Sequence, residues 1–266
     1  MTDENVDLGY KRSPLRPRIR IKWPNGARVA VLLTPSVETW KILPNGPKYQ
    51  GAPPGFVPET LPITTFTWRE FGLRVGIWRM FELFKKYEIR PSMFINAAVG
   101  EDYPEVTEEA KKHHWEFIAH SIRQADVPAN FIDDPKGERQ LIRDTLVRFK
   151  KAFGFEAEGW ASPGGCTHNT AKILTEEGIS YFTDYYNDDQ PYPLTFGKKT
   201  LMCIPHSWDM TDYAAFLRLA FTSEQYVQNA KNYFDVLYRE GKDSGKIVDL
   251  SLHPHIIGQP QRIGAL

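Results

Sequence analysis

The sequence predicts an α/β protein, a parallel sheet whose strands are joined by helical crossovers. Three observations predict it. Short apolar runs alternate with segments of helical spacing along most of the 266 residues. The helical segments are punctuated by Gly or Pro at their ends. The last apolar run, 246–253, carries a polar face: Asp249, Ser251, His253 and then His255 alternate with Val248, Leu250 and Leu252. Pro254 has no N–H to give a ladder, so pairing should stop there and leave two histidines at a strand end. Polar groups growing out of a buried strand are costly unless paired or used, and at the end of a barrel strand such residues line a pocket. The plainer alternative is a hydrogen-bonded structural histidine pair.

Each element follows in order. Residues 28–33 read as a short buried strand, and 44–62, rich in Pro and Gly without periodicity, as a long loop of the kind that carries function. Phe71, Val75, Trp78, Phe81 and Phe84 give 69–87 helical spacing, stopped before Pro91. Residues 92–97 are strand-like, 104–114 a helix opened by Pro104, and 115–120 a strand. Asp133 or Asp134 caps a helix that begins at Pro135 and closes at Gly154. A strand at 159–162 enters Pro163-Gly164-Gly165, followed by a helix over 167–177 that Gly178 stops, and by a strand at 179–184. Residues 201–204 form a strand and 223–240 a helix closed by Gly241, before the final strand. Residues 1–20 are polar and read as an arm that wraps a neighbour or stays mobile.

Composition excludes several classes. Lysine plus arginine balances aspartate plus glutamate at 33 each, which argues against nucleic acid or an anionic membrane as a partner. No apolar run reaches a membrane span. The N-terminus lacks the apolar core of a secretory signal, and two cysteines, Cys166 and Cys203, form no disulfide framework; both fit a cytoplasmic protein with a small-molecule substrate. Polar residues then recur where successive strands end: Thr34, Ser36 and Glu38; His120-Ser121-Ile122-Arg123-Gln124; Trp160 to Gly165 with Asp184 and Asp188 downstream; and His253 with His255. A barrel gathers such ends in one place. Cys166 with His168 is a further candidate, a thiolate pair of a cysteine amidase; a buried Cys fits as well.

Five segments carry a family resemblance: Trp23 to Val31, Trp68-Arg69-Glu70-Phe71-Gly72-Leu73-Arg74-Val75-Gly76, Gly159 through Gly164, Asn187-Asp188-Asp189-Gln190-Pro191-Tyr192, and His253-Pro254-His255-Ile256-Ile257-Gly258-Gln259-Pro260. In this order the chain resembles the polysaccharide deacetylase superfamily, on its metal-independent, allantoinase-like branch. The resemblance implies a distorted, incomplete (β/α) barrel over residues 21–266 as one catalytic domain. It implies hydrolysis of a non-peptide C–N bond, in a small cyclic ureide or imide for the allantoinase-like branch or in an acetylated sugar for the metal-dependent one. It also implies a homo-oligomer, dimer or tetramer. Relatives continue with a helix near Leu266, so an apolar barrel seam is expected there.

The metal-dependent pattern has paired acids in its first motif and His-Ser-x-x-His in its second. Here Ser36-Val37-Glu38 supplies one acid, and Gln124 stands where the second histidine belongs. A neutral amide is a poor zinc ligand beside imidazole, so no metal is favoured; if zinc is present, Glu38 and His120 hold it, with Asp184, His206 or water to complete a weak site. The resemblance makes His253 the general acid, with Glu38 or His120 activating water. Gly164 and Gly165 are candidates to present backbone N–H groups to a carbonyl. Trp160, Asp188, His206, His255 and Arg262 are the substrate-binding candidates, against loop or salt-bridge roles for Asp188 and Arg262. A non-catalytic binding protein on the same barrel is the remaining alternative, with Ser36 and Gln124 as its evidence.

Overall fold

The computed structural model describes residues 6–11, 20–42 and 63–266, so the expected loop at 44–62 lies outside the described residues. Its elements in chain order are β1 (Val29–Val37), α1 (Ile63–Phe71), α2 (Ile77–Lys86), β2 (Ser92–Ile95), α3 (Val99–Asp102), α4 (Pro104–Lys112), β3 (Glu116–Ala119), α5 (Pro135–Phe153), β4 (Gly159–Trp160), α6 (Thr170–Glu176), β5 (Tyr181–Phe182), β6 (Tyr192–Phe196), β7 (Lys199–Cys203), α7 (Ser223–Glu240) and β8 (Lys246–Leu252). One eight-stranded sheet runs β6-β7-β5-β4-β3-β2-β1-β8. Every pairing is parallel except β6 with β7. The sheet curls into an incomplete (β/α) barrel. Across its seam, the Ile247 N–H donates to the Asp189 carbonyl (2.9 Å), and Lys246 pairs with the Asp189 carboxylate (2.7 Å).

Local chemistry explains the boundaries. Asp134, not Asp133, caps α5: its Oδ1 accepts the Gly137 N–H at 3.0 Å, and Gly154 ends the helix at φ 88°. Gly241 differs from expectation. Its φ is −60°, so it is no left-handed stop; a Cβ there would lie 2.3 Å from the Arg28 carbonyl oxygen, so glycine is needed for α7 to approach the start of β1. The helix expected over 69–87 begins earlier, at Ile63, and α1 passes into α2 through a π-turn, Gly72–Gly76. The β6–β7 hairpin was not expected; β6 tolerates Pro193 because it is an edge strand. The arm at 6–11 lies against its own chain: the Thr195 N–H donates to the Gly9 carbonyl at 2.7 Å, and Tyr10 packs on Tyr185 and Tyr192.

Alternation sorts the two sheet faces. Val37, Met93, Ile95, Phe117, Ala119 and Leu252 join the helices in the main core, while Phe94, Ile118 and Ala161 form a separate small cluster inside the curl. The inner face also carries Thr34, Ser36, Asp249 and Ser251, all buried. Apolar contact therefore fills the floor of the barrel and polar groups accumulate toward the C-terminal strand ends. Leu266 with Tyr226, Phe234, Leu250 and the charged Lys231 and Asp235 lines a surface groove of about 380 Å³. No helix among the described residues is long and apolar enough to cross a membrane.

Candidate active site

His253 is the first residue past β8, and an aspartate that the sequence did not single out holds it. Asp212 is fully buried. Its Oδ2 accepts the backbone N–H of His253 (2.7 Å) and of Ile257 (3.2 Å), and its Oδ1 lies 2.6 Å from His253 Nδ1. The ring is thus fixed with Nδ1 on the carboxylate and Nε2 turned toward Glu38, 3.6 Å from its Oε1. Burial opposes a charge on His253, but Asp212 and Glu38 outweigh it and hold the imidazole pKa above its ordinary value. For Glu38 burial dominates and raises the carboxyl pKa, against the pull of His253 and of Arg69. The Arg69 guanidinium sits 3.4 Å above the Trp40 ring and bears on Glu38, His253 and His255 together. Three elements far apart in sequence, the ends of β1 and β8 and the segment carrying Asp212, thus meet in one Asp212–His253–Glu38 chain.

The backbone approach that places His253 is unusually close. A Cβ on Gly76 would stand 1.9 Å from the Pro254 carbonyl oxygen, and one on Gly72 would stand 2.9 Å from the His255 nitrogen. The glycines of the Trp68–Gly76 segment are therefore contact points for the His253-Pro254-His255 turn, and the π-turn between α1 and α2 lies against it. His255 is buried, edge-on to Trp68 at 4.8 Å, and burial with the neighbouring positive groups pushes its pKa well below ordinary.

His120 follows β3 and faces inward. Its Nδ1 lies 2.7 Å from the Ala161 carbonyl, which requires a proton on that nitrogen, and the Gln124 side chain hydrogen-bonds to the same ring. Burial pushes its pKa down to about 4, so it is neutral at physiological pH. Asn96 ties this strand end to β1: its Oδ1 accepts the Thr39 N–H at 2.9 Å and its Nδ2 donates to the His120 carbonyl. Ser121 holds a left-handed φ of 54°, rare outside glycine.

The remaining candidates divide. Gly164 and Gly165 take φ 66° and 122°, and their loop is anchored where Thr167 and Thr170 donate to the buried Glu138. His206 is 2.7 Å from Asp249 and packs on Phe94 and Tyr186. Arg262 stacks on Phe216 at 4.8 Å, on the Asp212 and His255 side of the site. Asp188 is engaged in its own loop, its Oδ1 accepting the N–H groups of Asp189 (2.8 Å) and Gln190 (3.2 Å). Trp160 corrects the expectation of a pocket wall: it is fully buried in the main core, where its Nε1–H donates to Ser162 Oγ (2.9 Å), so it supports the site from behind. Burial and the neighbouring Asp184 push the pKa of the half-buried Cys166 thiol far up, which disfavours a thiolate and argues against the cysteine amidase reading.

The donors do not fit a tight metal site. His120 has its Nδ1 committed to Ala161 and is approached by Gln124; Glu38 is flanked by the positive Arg69; and position 124 offers a neutral amide. Among the described residues no group of three or more His, Cys, Asp or Glu side chains is arranged to hold an ion.

No family model matches the chain. A putative polysaccharide deacetylase of Schizosaccharomyces pombe is 27% identical over 219 residues, spanning 74% of this chain and 66% of that protein. A probable polysaccharide deacetylase from Pseudomonas aeruginosa PAO1 superposes with a TM-score of 0.85 at 26% identity, over 96% of this chain and 89% of the other. PuuE allantoinase superposes with a TM-score of 0.80, also at 26% identity, over 99% of this chain and 89% of the other. Sequence and fold together support the polysaccharide deacetylase superfamily, with an allantoinase-like branch. Within that superfamily its departures, Ser36 and Gln124, sit on the inner barrel wall and beside His120, so they alter the site itself.

Proposed function

We propose that this protein hydrolyses a non-peptide C–N bond in a small cyclic ureide or imide. The observation that carries the reading is the Asp212–His253–Glu38 chain, with His253 Nε2 3.6 Å from Glu38. Opening a cyclic amide needs a base for water, stabilisation of a tetrahedral oxyanion and a proton for the leaving nitrogen. Glu38 as carboxylate takes a proton from water, whose oxygen bonds to the carbonyl carbon. Arg69 and the backbone N–H groups of Gly164-Gly165 are the candidates to meet the oxyanion. His253 as imidazolium, backed by Asp212, gives its proton to the ring nitrogen as the C–N bond breaks. The proton then passes from Glu38 back to His253 across the short gap between them, which restores the pair. His120 is neutral with Nδ1 spent on a carbonyl, so it shapes the pocket and leaves the base role to Glu38.

Support comes from the donor chemistry, which suits acid–base hydrolysis better than a tight metal centre, and from the similarity to PuuE allantoinase along nearly the whole chain. The test is hydrolysis of a panel of hydantoins, allantoin, succinimide and N-acetylhexosamines, each with and without a strong chelator. The expected result is ring opening that survives chelation and is lost in His253→Gln. Activity confined to the N-acetylhexosamines and abolished by chelator would overturn the proposal.

A further inference from the structure

β8 carries a carboxylate on its inner face that the proposed chemistry does not use. Asp249 stands two alternations before His253 on that face and is buried. Carboxylates are scarce in strand interiors and costly to bury, so the partners of this one show what it does. Its Oδ2 accepts the backbone N–H of Ser207 at 2.9 Å. His206 Nδ1 lies 2.7 Å from the same oxygen without a hydrogen bond between them. Its Oδ1 faces Thr34 Oγ1 on β1 at 3.5 Å, a long contact. Tyr233 of α7 reaches the Ser207 side chain and the Asp249 backbone. The firmest bond of this carboxyl group thus goes to the segment after β7, not to the neighbouring strand.

That segment is the one that carries Asp212. It is joined to β8 at two points: Asp249 of the strand holds Ser207, and Asp212 holds His253 at the strand end, 2.7 Å from its N–H and 2.6 Å from its Nδ1. About 13 Å of strand separates the two junctions. Between them the segment has no slack. The Met210 N–H donates to the Ser207 carbonyl and the Thr211 N–H to the Trp208 carbonyl, both at 3.2 Å, around a 3₁₀ turn, Trp208–Met210. Thr211 then accepts the Ala214 N–H on Oγ1 (2.9 Å) and the Ala215 N–H on its carbonyl (3.1 Å). Met210, Thr211 and Asp212 are all buried. A displacement at Ser207 is therefore passed on to Asp212. We propose that Asp249 is a positioning residue: by holding the Ser207 N–H it fixes the turn that carries Asp212, and through Asp212 it fixes the His253 ring. The kinetic part of its test rests on the hydrolase reading above.

The experiment compares Asp249→Asn, Asp249→Val and Asp249→Thr with the wild type, by kcat and KM for ring opening and by NMR. The NMR signal is the far-downfield His253 Nδ1 proton of the short bond to Asp212, assigned by its loss in His253→Gln. Asparagine can keep its oxygen on the Ser207 N–H and turn its NH₂ toward Thr34 Oγ1, so the tie survives without the charge. Valine and threonine suit a strand but do not reach Ser207. Asp249→Asn is expected to keep kcat within about threefold and the downfield proton in place. The other two are expected to lower kcat on the order of 100-fold at little changed KM, and to shift or lose that proton. Valine and threonine variants with wild-type kcat and signal overturn the proposal. So does an asparagine variant as impaired as they are, which would make the charge and not the tie the cause. A loss confined to KM with the proton unmoved overturns it in favour of a substrate contact, and failure of both strand formers to fold overturns it in favour of a role in the fold alone. A wild type that opens no ring overturns the hydrolase reading, and the NMR comparison then decides this proposal by itself.

Discussion

Asp212→Asn is the substitution that separates the acid–base chain from the fold around it. Asp212 meets three donors: His253 N–H at 2.7 Å, Ile257 N–H at 3.2 Å and His253 Nδ1 at 2.6 Å. An asparagine has one oxygen and one NH₂ group. If its oxygen keeps the two backbone N–H groups, the NH₂ faces His253 Nδ1, and the ring must move its proton to Nε2. Charge-assisted bonds become neutral ones, and the variant loses about 1–3 kcal/mol of stability. In a chain of this size that lowers Tm by roughly 3–10 °C, so the protein stays folded at 25 °C. The chemical effect is larger. Removing a positioned general acid costs on the order of 100- to 10,000-fold in kcat. The pH profile distinguishes the cause. In the wild type Glu38 must be ionised and its pKa is raised, so the acid limb lies above 4.5; His253 must be protonated and its pKa is raised, so the alkaline limb lies above 6.5. With the Asp212 charge gone, the alkaline limb of any residual activity moves to lower pH. The assay is kcat/KM for ring opening from pH 4 to 10, with melting curves on the same samples. A folded Asp212→Asn variant with kcat within threefold of wild type and an unmoved alkaline limb would refute the chain.

Three further outcomes are expected. Gly76→Ala puts a Cβ 1.9 Å from the Pro254 carbonyl oxygen, where ordinary contact begins at 3.4 Å, so helix and turn must part by the difference of about 1.5 Å; overpacking of this kind costs about 1–3 kcal/mol or more, and displacing His253 lowers kcat about 100-fold, whereas a wild-type Tm and kcat would show the contact to be unimportant. Cys166→Ser leaves kcat within about twofold, and the native wild-type enzyme resists thiol-alkylating reagents, because burial keeps the thiol protonated; rapid inactivation by iodoacetamide would contradict this. His120 and Asp184 oppose each other in stability: the folded His120 pKa of about 4 against 6.5 makes stability rise with pH over that window, while the folded Asp184 pKa of about 6 against 3.8 makes it fall, each by about 3 kcal/mol at most. Asp184→Asn removes the second effect, so its Tm should drop more steeply than that of wild type as pH is lowered from 6 to 4; parallel curves would refute the opposition.

What the sequence made legible is what periodicity and short-range chemistry encode. Alternation along β8 already separates Asp249, Ser251 and His253 from Val248, Leu250 and Leu252, and the structure keeps that division between the inner face and the core. Asp134 and Gly154 announce α5 because a cap acts within four residues of the helix it ends. Asp212 could not be found this way. It lies 41 residues before His253, among Met210-Thr211-Asp212-Tyr213, and no period marks it; its role exists only once the barrel brings that segment against the end of β8. Trp160 was misplaced for the converse reason, since a strand-end aromatic reads alike whether it faces the pocket or the helices, and only the core packing decides. Gly72 and Gly76 stood in plain view within a family segment, yet a glycine in a helix announces only permissiveness; what each permits here is the backbone of Pro254 and His255, nearly 180 residues away. The family segments around Trp68 and His253 are thus two halves of one contact. That contact holds His253 from one side while Asp212 holds it from the other, so the groups that orient the histidine are the ones farthest from it in sequence.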